Sequence, residues 1–289
     1  MRLLTFEKNG RAALGVRDGD HVIDVALAGL IAPGDVSAVL RAGEMLLSKL
    51  AKLTTEAPAS SRIALDTLRL LPPTVTAGKI VCLGLNYVSH ATEVGVVQKP
   101  DYPTVFFRAN TSLIGAQDPI VRPRISQALD FEGEMVAFIG KTGRHIPLDD
   151  ALSHVAGYAV FNDVSIRDYQ MRTSQWTVGK NFDDTGPFGP EFVSADELPE
   201  GATGLNIQTR LNGEVMQNAS TSDMIFGVAE TIHLLSQCFT LEVGDILVMG
   251  TPSGVGNARE PKLFMKPGDV CEVEIEKIGL IRNAIVDEH

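Results

Sequence analysis

Its 289 residues allow one large domain, or a small domain joined to a larger one, with a sizeable core. Thirty-six acidic against twenty-five basic residues leave a formal charge of −11. That balance argues against non-specific binding to nucleic acid or an anionic membrane, and a small anionic substrate would need a local cationic site.

The first residues, MRLLTFEKNG, alternate with charges and lack the long apolar core of a signal peptide. No later run approaches the ~20 apolar residues of a membrane span. Cys82, Cys238 and Cys271 are odd in number and far apart, without the spacing of a zinc site or disulfide framework. Reduced thiols in a soluble, cytosolic protein are expected. Residues 1–53 read as a small α+β unit: strands around RLLTFE and HVIDVA, a turn at Gly19 and Asp20, then an amphipathic helix from Asp35 to about Leu53. The turn-rich stretch 54–77 connects to the rest, and a domain boundary is expected near residue 75, dividing 1–75 from 76–289.

From Lys79 onward, apolar strand-like runs each meet a polar cluster. KIVCLGLNY ends in Asn86, LDFEGEMVAFIG begins with acids, and GYAVFND ends in Asn162 and Asp163. Further on, LEVGDILVMG, MKPGDVCEVEIEKI and LIRNAIV place Gly-Asp turns before β-rich runs, and Gly279 marks a tight connection. Helices are expected over roughly 149–156 and from Ser222 to Gln237, where Ile225, Val228, Ala229, Ile232 and Leu235 recur at helical spacing. With few βαβ alternations, the fold class is α+β and β-rich, not a doubly wound parallel sheet.

In LDFEGEMVAFIG, Asp130, Glu132 and Glu134 occupy alternate positions, so in one strand they share a face with Val136 and Phe138. Three like charges at the start of a buried face repel unless water, protonation or a cation relieves them. A solvated strand end with acids guarding an edge is one reading, and a metal is the other. Asp163 supplies a third acid for Glu132 and Glu134, although an Asp at that junction can equally cap a helix through VSIRDYQ. An all-oxygen set suits a hard cation, Mg²⁺ or Mn²⁺, with Ca²⁺ also compatible. With three monodentate acids on Mg²⁺, about three positions remain for water and a chelating 1,3-dicarbonyl or 2-oxo acid.

His90 and Glu93, in NYVSHATEVG, are i, i+3 on a helix, where the carboxylate can orient the imidazole as a general base. A weak surface pair is the plainer alternative. The following VGVVQKPDYP has the composition of a lid. Lys180, in WTVGKNFDDTGPFGP, can place a cation beside an enolate or carboxylate oxygen. Arg108 and Arg167 are further cationic candidates, with structural salt bridges as their alternative. GTPSGVG, residues 250–256, offers backbone amides and the Thr251 hydroxyl without the context of a dinucleotide loop, P-loop or nucleophile elbow. A turn that grips a carboxylate fits it better.

The set GLNYVSHATE, DFEGE, NDVSIRD, GK followed by NFD, LNGE and GTPSGVG resembles the fumarylacetoacetate hydrolase family in order and spacing, over about residues 79–286. The resemblance implies a mixed β-roll catalytic domain, usually in a homodimer, behind a small N-terminal domain. It implies a divalent metal on Glu132, Glu134 and Asp163, a catalytic pair at His90 and Glu93, and a site lysine at Lys180. Arg167 and Thr251 match positions that contact substrate or metal-bound water. Arg108 is followed by Ala109 where many relatives carry Lys and Pro, so the substrate loop departs from the pattern.

The chemistry this implies is hydrolysis of a carbon–carbon bond in an acylpyruvate or related 1,3-diketo acid, by water activated at His90 and Glu93, with an enolate stabilised by the metal and Lys180. Decarboxylation of oxaloacetate or another β-keto acid is the close rival. Tautomerase, lyase or dehydratase chemistry at the same centre, and a non-catalytic binding protein, are further alternatives.

Overall fold

The computed structural model describes residues 1–93, 95 and 100–289. Residues 94 and 96–99, half of the expected lid, lie outside them. Among the described residues a twelve-stranded sheet forms the backbone of the molecule. Its path runs Arg62–Ala64, His21–Asp24, Arg11–Asp18, Arg2–Lys8, Gly186–Ser194, Val155–Asn162, Gly133–Ile139, Ile246–Val248, Ile80–Gly84 and Thr104–Phe107. A five-stranded sheet is ordered Glu214–Ser220, Asn206–Leu211, Val270–Ile275, Gly279–Asp287 and Ile120–Arg122. Most neighbours are antiparallel, with parallel pairing of Ile246–Val248 to Ile80–Gly84 and of Gly279–Asp287 to Ile120–Arg122. Helices are few and short, so the chain is α+β and β-rich.

The N-terminal strands are continuous with the large sheet, because Arg2 and Leu3 pair with Val193 and Phe192. The expected boundary near residue 75 falls between the strands Leu70–Leu71 and Ile80–Gly84. No helix among the described residues is long and apolar enough to cross a membrane.

The strand Gly133–Ile139 is buried on both faces. Met135, Ala137 and Ile139 pack with Val228, Ile232 and Leu235 of the helix Val228–Cys238. Val136 and Phe138 join Val36, Val39, Leu50 and Leu53 on the other side. This explains the unbroken apolar run after the acids: a strand covered on both sides has no solvent face to keep polar.

Three expected elements differ in detail. The helix read from Asp35 to Leu53 is two helices, Val36–Ala42 and Glu44–Glu56, separated at Gly43, whose φ of 86° ends the first. The stretch 149–156 is a tighter 3₁₀ turn, Leu148–His154, leading directly into a strand. Ser220 and Asp223 form a reciprocal capping box on a separate short turn, so the helix expected from Ser222 begins only at Val228.

Asn86 fixes the entry to the helix Val88–Glu93. Its amide donates to the carbonyls of Phe226 and Met249 at 3.0 and 2.7 Å, and its oxygen accepts from the Phe226 amide at 2.8 Å. Asn86→Ala should destabilise the protein by about 2–4 kcal/mol, since buried polar groups lose their partners. Urea denaturation measures this, and a loss below about 1 kcal/mol would show that the loop finds other partners.

Candidate active site

The acid-bearing segment breaks where the sequence suggested one strand. Leu129–Asp130 pairs with Ser165–Ile166, Phe131 and Glu132 lie between, and Gly133–Ile139 begins the large-sheet strand. Asn162 supports the break by accepting from the Glu132 amide at 2.9 Å, while the Glu132 carbonyl accepts from the Asp163 amide at 2.8 Å. Glu132 and Glu134 therefore converge with Asp163, and one oxygen from each lies within 4.8 Å of the others. Asp130 turns to another role.

None of these acids is solvated. Glu132, Glu134 and Asp163 are 5%, 1% and 0% exposed, which overturns the reading of an edge-guarding, solvated strand end. Nor does Asp163 cap a helix. Its Oδ1 accepts from Arg108 Nη1 at 2.5 Å and its Oδ2 from Lys180 Nζ at 2.6 Å. Lys180 also donates to Glu132 Oε2 at 2.6 Å. Arg167 pairs through Nε with Asp130 Oδ2 at 2.8 Å and through Nη1 with Glu132 Oε1 at 2.6 Å.

Among the described residues of this cluster, four buried carboxylates thus meet three side-chain cations, and Glu134 is the acid left over. Its Oε2 accepts from the Gly250 amide at 2.6 Å. Burial, with Asp163 and Glu132 nearby, pushes the Glu134 carboxyl well above the usual carboxylate range. Burial also works to raise Glu132, but Lys180 and Arg167 outweigh it and hold that carboxyl at about 2. Lys180 stays above its ordinary value because Asp163 and Glu132 outweigh its own burial.

A divalent cation fits this arrangement on two counts. The converging donors are carboxylate oxygens, as hard cations require. With all four carboxylates ionised the buried group is also one positive charge short, and a divalent ion would then bring it to one in excess.

His90 and Glu93 form the second part of the site. His90 Nδ1 lies 3.0 Å from Glu93 Oε2, and Glu93 Oε1 accepts from the Gly254 amide at 2.8 Å. His90, Glu132, Glu134, Arg167, Lys180 and Thr251 line one cavity of about 330 Å³. Glu93, Asp163 and Arg108 are not on its lining. The substrate contact expected of Arg108 has no geometry here: its side chain is buried behind Asp163 and bonds Ser112, Val164 and Thr185.

The loop 250–256 does grip carboxylates, but they belong to the protein. The amides of Gly250, Gly254 and Gly256 bond Glu134, Glu93 and Asp130 respectively. At Gly254, φ is 104° and an added Cβ would lie 2.1 Å from the Met216 carbonyl, so no other residue fits without a shift.

Sequence reasoning missed other lining residues. Gln170 lies three positions after Arg167 on the turn Arg167–Gln170, and helical spacing alone could have grouped them. Trp176 packs edge-on to Phe106 at 5.8 Å, and both wall the cavity. Nothing in the local sequence marks Asn257, which also lines it.

The family model described as fumarylacetoacetate (FAA) hydrolase C-terminal matches residues 79–286. A mitochondrial oxaloacetate tautomerase of Xenopus laevis is 37% identical over 295 residues, covering 99% of this chain and 90% of the relative. The solved fumarylacetoacetate hydrolase of Exiguobacterium antarcticum superposes with a TM-score of 0.85 at 34% identity, covering 100% of both chains. Maleylpyruvate hydrolase from Sphingobium sp. SYK-6, solved with manganese(II) and pyruvate, gives 0.83 at 28% identity, again over 100% of both.

Cation uptake should be coupled to proton release, because burial with Asp163 and Glu132 nearby pushes the Glu134 carboxyl above the usual carboxylate range and it must be ionised to act as a ligand. Mn²⁺ affinity should therefore weaken as pH falls. Calorimetry in buffers of different ionisation enthalpy should find protons released on binding, more of them at lower pH. Glu134→Gln should bind more weakly and release none, and equal release from both proteins would exclude Glu134 as the source.

Proposed function

Because the chain belongs to the fumarylacetoacetate hydrolase family, we propose that it interconverts the keto and enol forms of a short 2-oxo dicarboxylic acid of the oxaloacetate type, with Mg²⁺ or Mn²⁺ held by Glu132, Glu134 and Asp163. The observation that carries this reading is Arg167. Its guanidinium is otherwise fully engaged, yet the buried Nη2 has no hydrogen-bond partner among the described residues, on a side chain that lines the cavity. An unpartnered buried guanidinium N–H is costly alone and well matched to a carboxylate oxygen. The cavity of about 330 Å³ suits a small acid.

The residues divide the work. Arg167 fixes a carboxylate of the substrate. An ionised Glu93 can only accept, so the bond to it places the proton on His90 Nδ1 and leaves the Nε2 lone pair as the base. In the keto-to-enol direction Nε2 takes a proton from C3, and the released pair forms the C2–C3 double bond as the C2–oxygen π pair moves onto oxygen. Nε2 then returns the proton to that oxygen, so His90 ends as it began. When bound, the divalent cation supplies Lewis-acid polarisation of the 2-oxo group. Lys180 orients Glu132 and Asp163 by donating to both carboxylates. Trp176 and Phe106 provide the apolar wall that limits substrate length and shields the proton transfer from water.

Hydrolysis of a carbon–carbon bond in an acylpyruvate is the second reading. The His90–Glu93 bond favours it, since an imidazole oriented by a carboxylate is equally suited to take a proton from water. Its relative here is the maleylpyruvate hydrolase. The two differ in whether His90 faces a carbon acid or a water molecule.

Following enol absorbance of oxaloacetate, with pyruvate release and acetylpyruvate cleavage measured in parallel, separates tautomerisation, decarboxylation and hydrolysis. Oxaloacetate should equilibrate faster with the Mn²⁺-loaded protein, and His90→Ala should lower that rate by roughly 10²–10⁴-fold while retaining Mn²⁺. Equilibration at the uncatalysed rate would end the tautomerase reading. Trp176→Ala should shift preference toward longer acyl chains by roughly tenfold in relative kcat/KM, and an unchanged profile would remove Trp176 as the limiting wall.

A further inference from the structure

One side chain of the five-stranded sheet reaches the two segments that build the site. Gln217, on the strand Glu214–Ser220, is 1% exposed. Its Oε1 accepts from the Gly133 amide at 3.0 Å, between Glu132 and Glu134. Its Nε2 donates to the Pro252 carbonyl and to Thr251 Oγ1, both at 2.8 Å.

The orientation of this carboxamide is fixed from both ends. The Gly133 amide can only donate and the Pro252 carbonyl can only accept, so a flipped side chain would set N–H against N–H and oxygen against oxygen. Nε2 is therefore the donor to Thr251, and Thr251 Oγ1 is the acceptor. A hydroxyl has one hydrogen. With an acceptor role imposed on its oxygen, Thr251 must point that hydrogen elsewhere, and it donates to no protein group among the described residues. Thr251 lines the cavity, 2% exposed.

We propose that Gln217 is a positioning residue that sets the polarity of the Thr251 hydroxyl, making it a donor to an anionic oxygen of the bound 2-oxo acid. This rests on the reading of the cavity as a 2-oxo acid site. Gln217 is not on the cavity lining and touches no substrate; it acts through Thr251.

The test reverses that polarity. In Gln217→Glu an ionised carboxylate still accepts from Gly133 but also accepts from Thr251, whose proton turns away from the cavity. Thr251→Val removes the hydroxyl. Both should weaken oxalate binding to the Mn²⁺-loaded protein by roughly tenfold or more by calorimetry, as expected for losing a hydrogen bond to a charged oxygen. KM for oxaloacetate should rise with them while kcat changes much less. The double variant should match Thr251→Val within about twofold, because both changes delete one interaction.

Multiplied losses in the double variant, or wild-type oxalate affinity in Gln217→Glu, would overturn the proposal. Thermal melting verifies that each variant is folded. Should the charged variant fail to fold, Gln217→Met removes the imposed donor without adding charge. It should weaken oxalate binding, though less than Thr251→Val, and wild-type affinity there would equally overturn the proposal. Oxalate binding is independent of turnover: a wild-type protein that binds oxalate but does not tautomerise oxaloacetate contradicts the functional reading and leaves the role of Gln217 intact.

Discussion

A buried cluster one positive charge short is the constraint on which the site depends. Asp130, Glu132, Glu134 and Asp163 are all withdrawn from water, and Arg108, Arg167 and Lys180 neutralise three of them. Burying charges without partners is among the most expensive things a fold can do. The surrounding structure therefore places two cations against Asp163 and two against Glu132, and leaves Glu134 with a single backbone amide. Arg108 shows how specific the arrangement is. By bonding Oδ1 of Asp163 from the protein interior it balances that charge without occupying the cavity. With a divalent ion in place the sign of the cluster would change, giving a chain of net charge −11 a local positive field for an anionic acid.

Under the proposed reading the same centre suits several chemistries because they share requirements: a place for a 2-oxo acid, a stabilised negative oxygen, and a base. Which reaction follows depends on the group presented to His90 Nε2 and on how much water the walls admit. Trp176 and Phe106 stand at that wall. Membership of the family thus narrows the mechanism without choosing the substrate, and the choice lies in side chains outside the charge cluster.

Much of this was legible in the sequence because polarity changes abruptly where strands end. Glu132, Glu134 and Asp163 stood out as acids at the edges of apolar runs, and the structure brings them together. His90 and Glu93 share a helix, so their contact follows from spacing alone. Other features were hidden for physical reasons. The apolar periodicity continues through Gly43, so the break between the two helices depends on a backbone angle that composition does not encode. Arg108 could be read as a cation near the site, but the direction it faces is set by packing against Phe161 and Asp163. Gln217 sits among unexceptional residues on a strand, and its partners are 84 and 34 positions away. The amides of GTPSGVG suggested an anion grip, yet nothing local could say that the anions were the protein's own.

That loop has a consequence for how the protein tolerates change. One segment of seven residues is wired in parallel to one of the three converging acids, to the carboxylate behind the histidine, and to the counter-ion of Arg167. Errors introduced there are correlated: displacement of one amide disturbs all three functions together. Variation across this stretch is therefore expected to yield all-or-none phenotypes, whereas variation on the cavity wall can retune selectivity by degrees.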